Sequence, residues 1–294
     1  GGWHTDKVRF EYCIGAHTGY KRPSGISGLN FWEMQGFDHV ALGCVMFNHV
    51  DICGKYCDDG KGPTDGSGYI ADLGYSVGSA TYINCIAFEN GGAGFQVTKT
   101  GVDASGNGKK VEFINCTAVN NTLKPGSDGE YGVWGAGALM FNCIGSGRKL
   151  KVGALGGSNN IVNSNMGSFK FGDVQNSDFS LQQGSPAIGG SRKDKAPEYD
   201  IGFDPKAIKY VPGGYVTNDG CSDFPFMKHA IDYDYIAENG GIPAMFTPGK
   251  RDNDPDRGAY EYGVERIVKA LYPDAGAAQA RKRPSTEGGR AFTI

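Results

Sequence analysis

Across 294 residues, 29 Lys and Arg stand against 32 Asp and Glu, a net charge of −3, so the basic stripe that marks a nucleic-acid partner is missing. No run of about 18 apolar residues occurs, which argues against a membrane-spanning helix. Glycine contributes 48 residues, well above an ordinary share of roughly 7 %, as expected of a chain that turns often.

Gly1 to Phe10 shows no leader pattern and runs directly into a strand, so the chain is expected to start inside a repeat, as a processed or truncated form. Five segments then align on a cysteine: Tyr12-Cys13-Ile14, Gly43-Cys44-Val45, Asn84-Cys85-Ile86, Asn115-Cys116-Thr117 and Asn142-Cys143-Ile144. Their cysteines are 31, 41, 31 and 27 residues apart, a period that signals a solenoid. The two sharpest repeats, Asn84 to Asn90 and Asn115 to Asn121, share Asn-Cys-x-Ala-x-x-Asn. Alternating runs such as Val111-Glu112-Phe113-Ile114 precede them, and period-two alternation means strands. A small buried cysteine suits an inward row, and asparagine tolerates the left-handed backbone of a corner. The expected architecture is all-β, a right-handed parallel β-helix over residues 1–190, each coil burying its apolar face against the next.

Residues 191–262 read as a loop-rich lateral insertion and a closing strand, with Tyr210, Tyr215, Phe224, Phe226, Tyr233 and Tyr235 as aromatic anchors. Residues 263–294 read as a short helix, Gly263 to Leu271, followed by an extended tail without a core of its own. An open first coil and a basic tail at Arg281, Lys282 and Arg283 together point to a homo-oligomer or repeating assembly through the ends. Cys53 and Cys57, at Cys-x-x-x-Cys, fit a disulfide as well as two thiols, and no second pair with zinc-ligand spacing accompanies them. Of the two sequons, Asn115 falls in the inward ladder, and only Asn120, at a corner, is placed to carry a glycan.

Between the cysteine segments lie Ser24-Gly25-Ile26-Ser27, then Thr64-Asp65-Gly66-Ser67-Gly68-Tyr69-Ile70-Ala71-Asp72, then Asn90-Gly91-Gly92-Ala93-Gly94-Phe95-Gln96-Val97. In this order they resemble motifs of the secreted right-handed parallel β-helix proteins related to pectate lyases, over residues 1 to about 165. Ser67 stands where that family has Asn. Further on, Gly184-Ser185-Pro186-Ala187-Ile188 and Gly258-Ala259-Tyr260-Glu261-Tyr262 resemble the closing coil of bacterial secreted β-helix proteins, with Gly189 and Arg257 departing from the pattern.

The resemblance implies a secreted or extracellular carbohydrate-active protein, and a lyase that cleaves acidic polysaccharide by β-elimination. Such chemistry needs a cation on the uronate carboxylate, usually Ca2+ with its six to eight oxygen ligands, and a base for the neighbouring proton. The stretch from Asp51 to Asp72 supplies both types of group. Asp58, Asp59 and Asp65 are the candidate calcium ligands. Lys55, Lys61 and Lys99 are the candidate bases by proximity, since the stretch Gly66 to Ala71, where the family carries its lysine, has none. His49, Tyr69 and Asp72 are the candidate substrate contacts. His17 and His49 follow their ladder cysteines at similar distances and fit either a functional pair or corner histidines bonded to backbone. The alternative function is a non-catalytic β-helix, a glycan-binding module or a structural subunit of an extracellular or virion assembly.

Overall fold

The computed structural model describes residues 7–17, 27–32, 38–49, 66–72, 79–99, 111–121, 129–133, 138–147, 155–215 and 227–264. The chain winds through three parallel sheets, the first four coils giving one strand to each sheet in turn and the last two giving, among the described residues, strands to the first two sheets. The first sheet stacks β1 (Arg9–Glu11), β4 (His39–Leu42), β7 (Ala80–Ile83), β10 (Val111–Ile114), β13 (Ala138–Phe141) and β15 (Leu155–Ser158). The second stacks β2 (Ile14–Ala16), β5 (Val45–Phe47), β8 (Ile86–Phe88), β11 (Thr117–Val119), β14 (Ile144–Ser146) and β16 (Ile161–Asn163). The third holds β3 (Leu29–Trp32), β6 (Tyr69–Asp72), β9 (Phe95–Lys99) and β12 (Tyr131–Val133). The protein is therefore an all-β parallel β-helix.

The bend between the first two sheets falls one residue before each ladder cysteine and, on the coil of β15 and β16, before Asn160. Tyr12, Gly43, Asn84, Asn115, Asn142 and Asn159 all have φ between 50° and 62° there, a left-handed conformation that asparagine and glycine accept most readily. Glycine at 43 has a second reason: a Cβ would come within 2.7 Å of the Tyr12 ring stacked beneath it. After the bend, Cys44, Cys85, Cys116 and Cys143 are fully buried and Cys13 partly so, all as free thiols. Each inner thiol reaches a carbonyl of the preceding coil: Cys85 Sγ to Ala41 O at 3.4 Å, Cys116 Sγ to Tyr82 O at 3.4 Å, and Cys143 Sγ to Phe113 O at 3.4 Å. The expected inward row is present.

Aromatic rings fill the rest of the bore. Tyr69, Phe95 and Tyr131 stack at 4.7 and 5.2 Å, and Tyr82 stacks on Phe113 at 5.3 Å. Such contacts add about 0.5–1.5 kcal/mol per pair to the burial itself. Beside them runs a polar ladder: Asn90 Oδ1 accepts from His49 N at 3.0 Å, Asn90 Nδ2 donates to Asn121 Oδ1 at 2.8 Å, and Asn121 Nδ2 donates to Glu130 Oε2 at 2.6 Å.

Beyond β16 the chain turns back along the solenoid. It forms two antiparallel pairs, β17 (Phe171–Asp173) with β18 (Asp178–Leu181) and β19 (Ile208–Tyr215) with β20 (Met227–Ile231), and one short helix, α1 (Tyr233–Glu238). This extension covers the outer face of the second sheet: Val45, Phe47, Ile86, Phe88 and Val119 share a buried core with Ile201, Phe203, Phe246 and Tyr260. The corner asparagines hold it along its length. Asn84 Nδ2 donates to Tyr199 O at 2.7 Å, Asn115 Nδ2 to Asp256 O at 2.9 Å, Asn142 Nδ2 to Arg192 O at 3.0 Å and Asn159 Nδ2 to Gly190 O at 2.7 Å. Of the aromatic anchors expected from sequence, Tyr233 instead points to solvent at 71 % exposure, while Tyr235 donates to Asp204 Oδ2 at 2.7 Å. Phe224 and Phe226, together with Cys53, Cys57, Cys221 and the helix and tail expected after Val264, lie outside the described residues.

Candidate functional site

The third sheet places three chemically useful residues in one row. Gly28, Gly68 and Gly94 each open a strand of that sheet, and a Cβ on Gly68 or Gly94 would approach the carbonyl of the next coil to 2.9 or 2.8 Å. The close approach fixes where β3, β6 and β9 start, and with it their register. Trp32 is thereby the partner of Asp72, and Asp72 the partner of Lys99. Counting from the glycines alone would put Thr98 opposite Asp72. A register shift between Ala71 and Asp72 puts Lys99 there instead, in the manner of a β-bulge, which commonly marks sites where a chain re-aims a side chain. Strands in such a sheet lie roughly 4.8 Å apart, so Trp32, Asp72 and Lys99 occupy matching backbone positions on three successive coils.

The remaining expected site residues divide into two groups. Lys55, Lys61, Asp58, Asp59 and Asp65 lie outside the described residues. Tyr69 and His49 are placed in the interior, and here the sequence expectation is corrected. The Tyr69 ring has no exposed surface and its hydroxyl donates to Cys44 O at 2.6 Å; it is a core residue, because β6 alternates and its first position faces inward. His49 is equally enclosed, and burial drives its imidazole down to about 3, so it is neutral and has no surface for a glycan. His17 takes the backbone-bonded form, its Nε2 lying 2.7 Å from His229 O.

Among the described residues no group of three or more His, Cys, Asp and Glu is placed to hold a metal ion. The titratable groups that are buried serve the fold. Glu130 is fully enclosed, its carboxyl pushed up to about 8 by burial in spite of the bonds from Asn121. Arg251 is fastened to Glu261 at 2.7 Å with both side chains shut away from solvent. Asp256 accepts from the Gly189 and Tyr262 amides, and Asp200 from those of Gly249 and Glu261. Through these bonds Asp256 ties Gly189 to Tyr262, and Asp200 ties Gly249 to Glu261.

Trp32 was not singled out from the sequence. Its signal was available: aligning Ser27-Gly28-Leu29 with Ser67-Gly68-Tyr69 sets Trp32 against Asp72.

No protein-family model matches the sequence, and no curated protein matches it. Among solved structures, the chain is similar to the crystal structure of pectate lyase Pel9A, with a TM-score of 0.40 and 17 % identity over 65 % of this chain and 56 % of that one. The chain thus spans little more than half the length of the structure it matches.

Proposed function

We propose that the protein is a carbohydrate-active β-helix that acts on acidic polysaccharide by β-elimination at the end of the third sheet. The observation that carries this reading is the register pairing of Asp72 with Lys99, two residues nominated independently for substrate contact and for base. Trp32 joins them one coil away, and indole is the side chain best suited to lie against the apolar face of a sugar ring. The outer face of the second sheet is taken by the extension, and the row formed by Trp32, Asp72 and Lys99 belongs to the third sheet.

In this reading Lys99 removes the proton beside the uronate carboxylate. The electron pair left behind forms the carbon–carbon double bond as the glycosidic oxygen departs. A cation on the substrate carboxylate would favour the unprotonated amine that this role needs. Asp58, Asp59 and Asp65 supply hard oxygen donors of the type Ca2+ takes and would hold it, neutralising the carboxylate when bound. The protein would work outside the cell, where such polymers are found.

Incubation with homopolymeric uronates, with calcium or with a chelator, tests the proposal through the ultraviolet absorbance of the unsaturated product. Absorbance that rises with calcium supports it. Binding without product identifies the non-catalytic glycan-binding alternative, and neither binding nor product overturns both.

A further inference from the structure

His229, on β20, sits where the extension meets the corner after the second sheet, and its ring is enclosed. Nδ1 lies 2.6 Å from Glu89 Oε2, and Nε2 lies 2.8 Å from Gln175 O in the turn Val174–Asn176. A carboxylate and a carbonyl both accept, so satisfying both contacts takes a hydrogen on each nitrogen, which is the imidazolium. The same residue's carbonyl accepts from Asn48 Nδ2 at 2.8 Å and lies 2.7 Å from His17 Nε2. Three consecutive coils, through His17, Asn48 and Glu89, thereby hold one residue of the β19–β20 hairpin.

We propose that this contact is a pH-operated latch, in which the doubly donating His229 imidazolium docks the hairpin onto the solenoid and loss of one proton releases it. A neutral ring has a single N–H, so either Glu89 or the Gln175 carbonyl must then face a lone pair on a ring that is itself buried, and that contact turns from a bond into a repulsion. Among the described residues, the charged and titratable groups around the ring are Glu89 from the solenoid corner, His17 from the first coil, Tyr210 across the hairpin at 5.6 Å between rings, and Lys228 beside it in sequence. Burial by itself lowers the proton affinity of His229, and Lys228 adds slightly to that; the Glu89 bond and charge, with the Gln175 carbonyl, outweigh both and raise the pKa above the ordinary 6.5. His17 moves the other way, lowered by burial, and so is not the group that responds. With the folded value raised, the docking is complete below the ordinary histidine range and is lost as pH rises through the folded value.

Histidine ring NMR on the intact chain, with His229→Gln for assignment, reads the first half. One ring should titrate above the others, and Glu89→Gln should return its midpoint towards the ordinary value. Amide exchange reads the second half: protection in β20 should fall about tenfold per pH unit above that midpoint, while β7 and β10 keep theirs. Should His229→Gln fail to fold, Glu89→Gln, at a partly exposed position, supplies the assignment. A neutral His229 ring at pH 6.5, or hairpin protection that does not change with pH, overturns the latch.

Discussion

The guanidinium of Arg251 donates to Glu261 Oε2 at 2.7 Å, and its remaining bonds go to the carbonyls of Asp256, Gly258, Ala259 and Tyr260 and to Asn84 Oδ1. This single side chain joins a corner of the solenoid to the last strand-like segment of the extension. Both charges are buried, so removing one partner leaves the other unpaired in a dry site. Arg251→Ala should lower stability by about 3–5 kcal/mol, measured by urea unfolding at neutral pH. Arg251→Lys should recover only part of the loss, because a point charge cannot reach carbonyls on both sides as the planar fork does. A change within about 0.5 kcal/mol for the alanine variant, the range of ordinary surface substitutions, would show that the clasp is not what holds the extension.

Glu130 ends the polar ladder that begins at His49. Its carboxyl has an ordinary value of 4.5 and is pushed up to about 8 in the fold, so the folded state holds a proton across that window that the unfolded chain has lost. The sign follows: stability is fully present below the lower value and falls as pH rises through the upper one, by up to about 1.4 kcal/mol for each pH unit crossed. Glu130→Gln keeps the shape and an acceptor for Asn121, and its denaturation midpoint should stay flatter from pH 5 to 9, exceeding the parent's at the alkaline end. A parent curve as flat as the variant's would count against a protonated, buried Glu130.

The thiol row gives a prediction of its own. Cys44, Cys85, Cys116 and Cys143 have no exposed surface, and the thiolate is the reactive form. In native protein they should resist alkylation and react only after unfolding, whereas the half-buried Cys13 should react slowly; peptide mass spectrometry after timed labelling distinguishes them. Cys85→Arg should prevent folding, since a charge without a partner would enter the bore at a cost of several kcal/mol.

The solenoid was legible because cysteine returns to the same register on five of the six coils: Cys85 and Cys116 mark the bore, and Asn84 and Asn115 the corner before it. The destination of those asparagines was not legible. Asn115 donates to Asp256 O, 141 residues on, and nothing local encodes a contact of that range. Tyr69 was misread for a related reason, since a tyrosine beside a glycine-rich turn resembles a surface residue until Phe95 and Tyr131 are stacked on it. The pairing of Lys99 with Asp72 depends on a one-residue shift in the ladder, which glycine spacing does not show. Arg251, which is bonded to Glu261, carries no sequence signal beyond a charge in a loop.

The most direct test of the proposed function compares Lys99→Ala with Lys209→Ala in the unsaturated-uronate assay, on a polymer that the parent protein degrades. Lys209 lies on the extension, paired with Asp232 at 3.4 Å, and serves as the control. The account predicts a loss of at least about 100-fold for Lys99→Ala, the lower range for removal of a general base, with Lys209→Ala unchanged. Equal rates for parent and Lys99→Ala would contradict it.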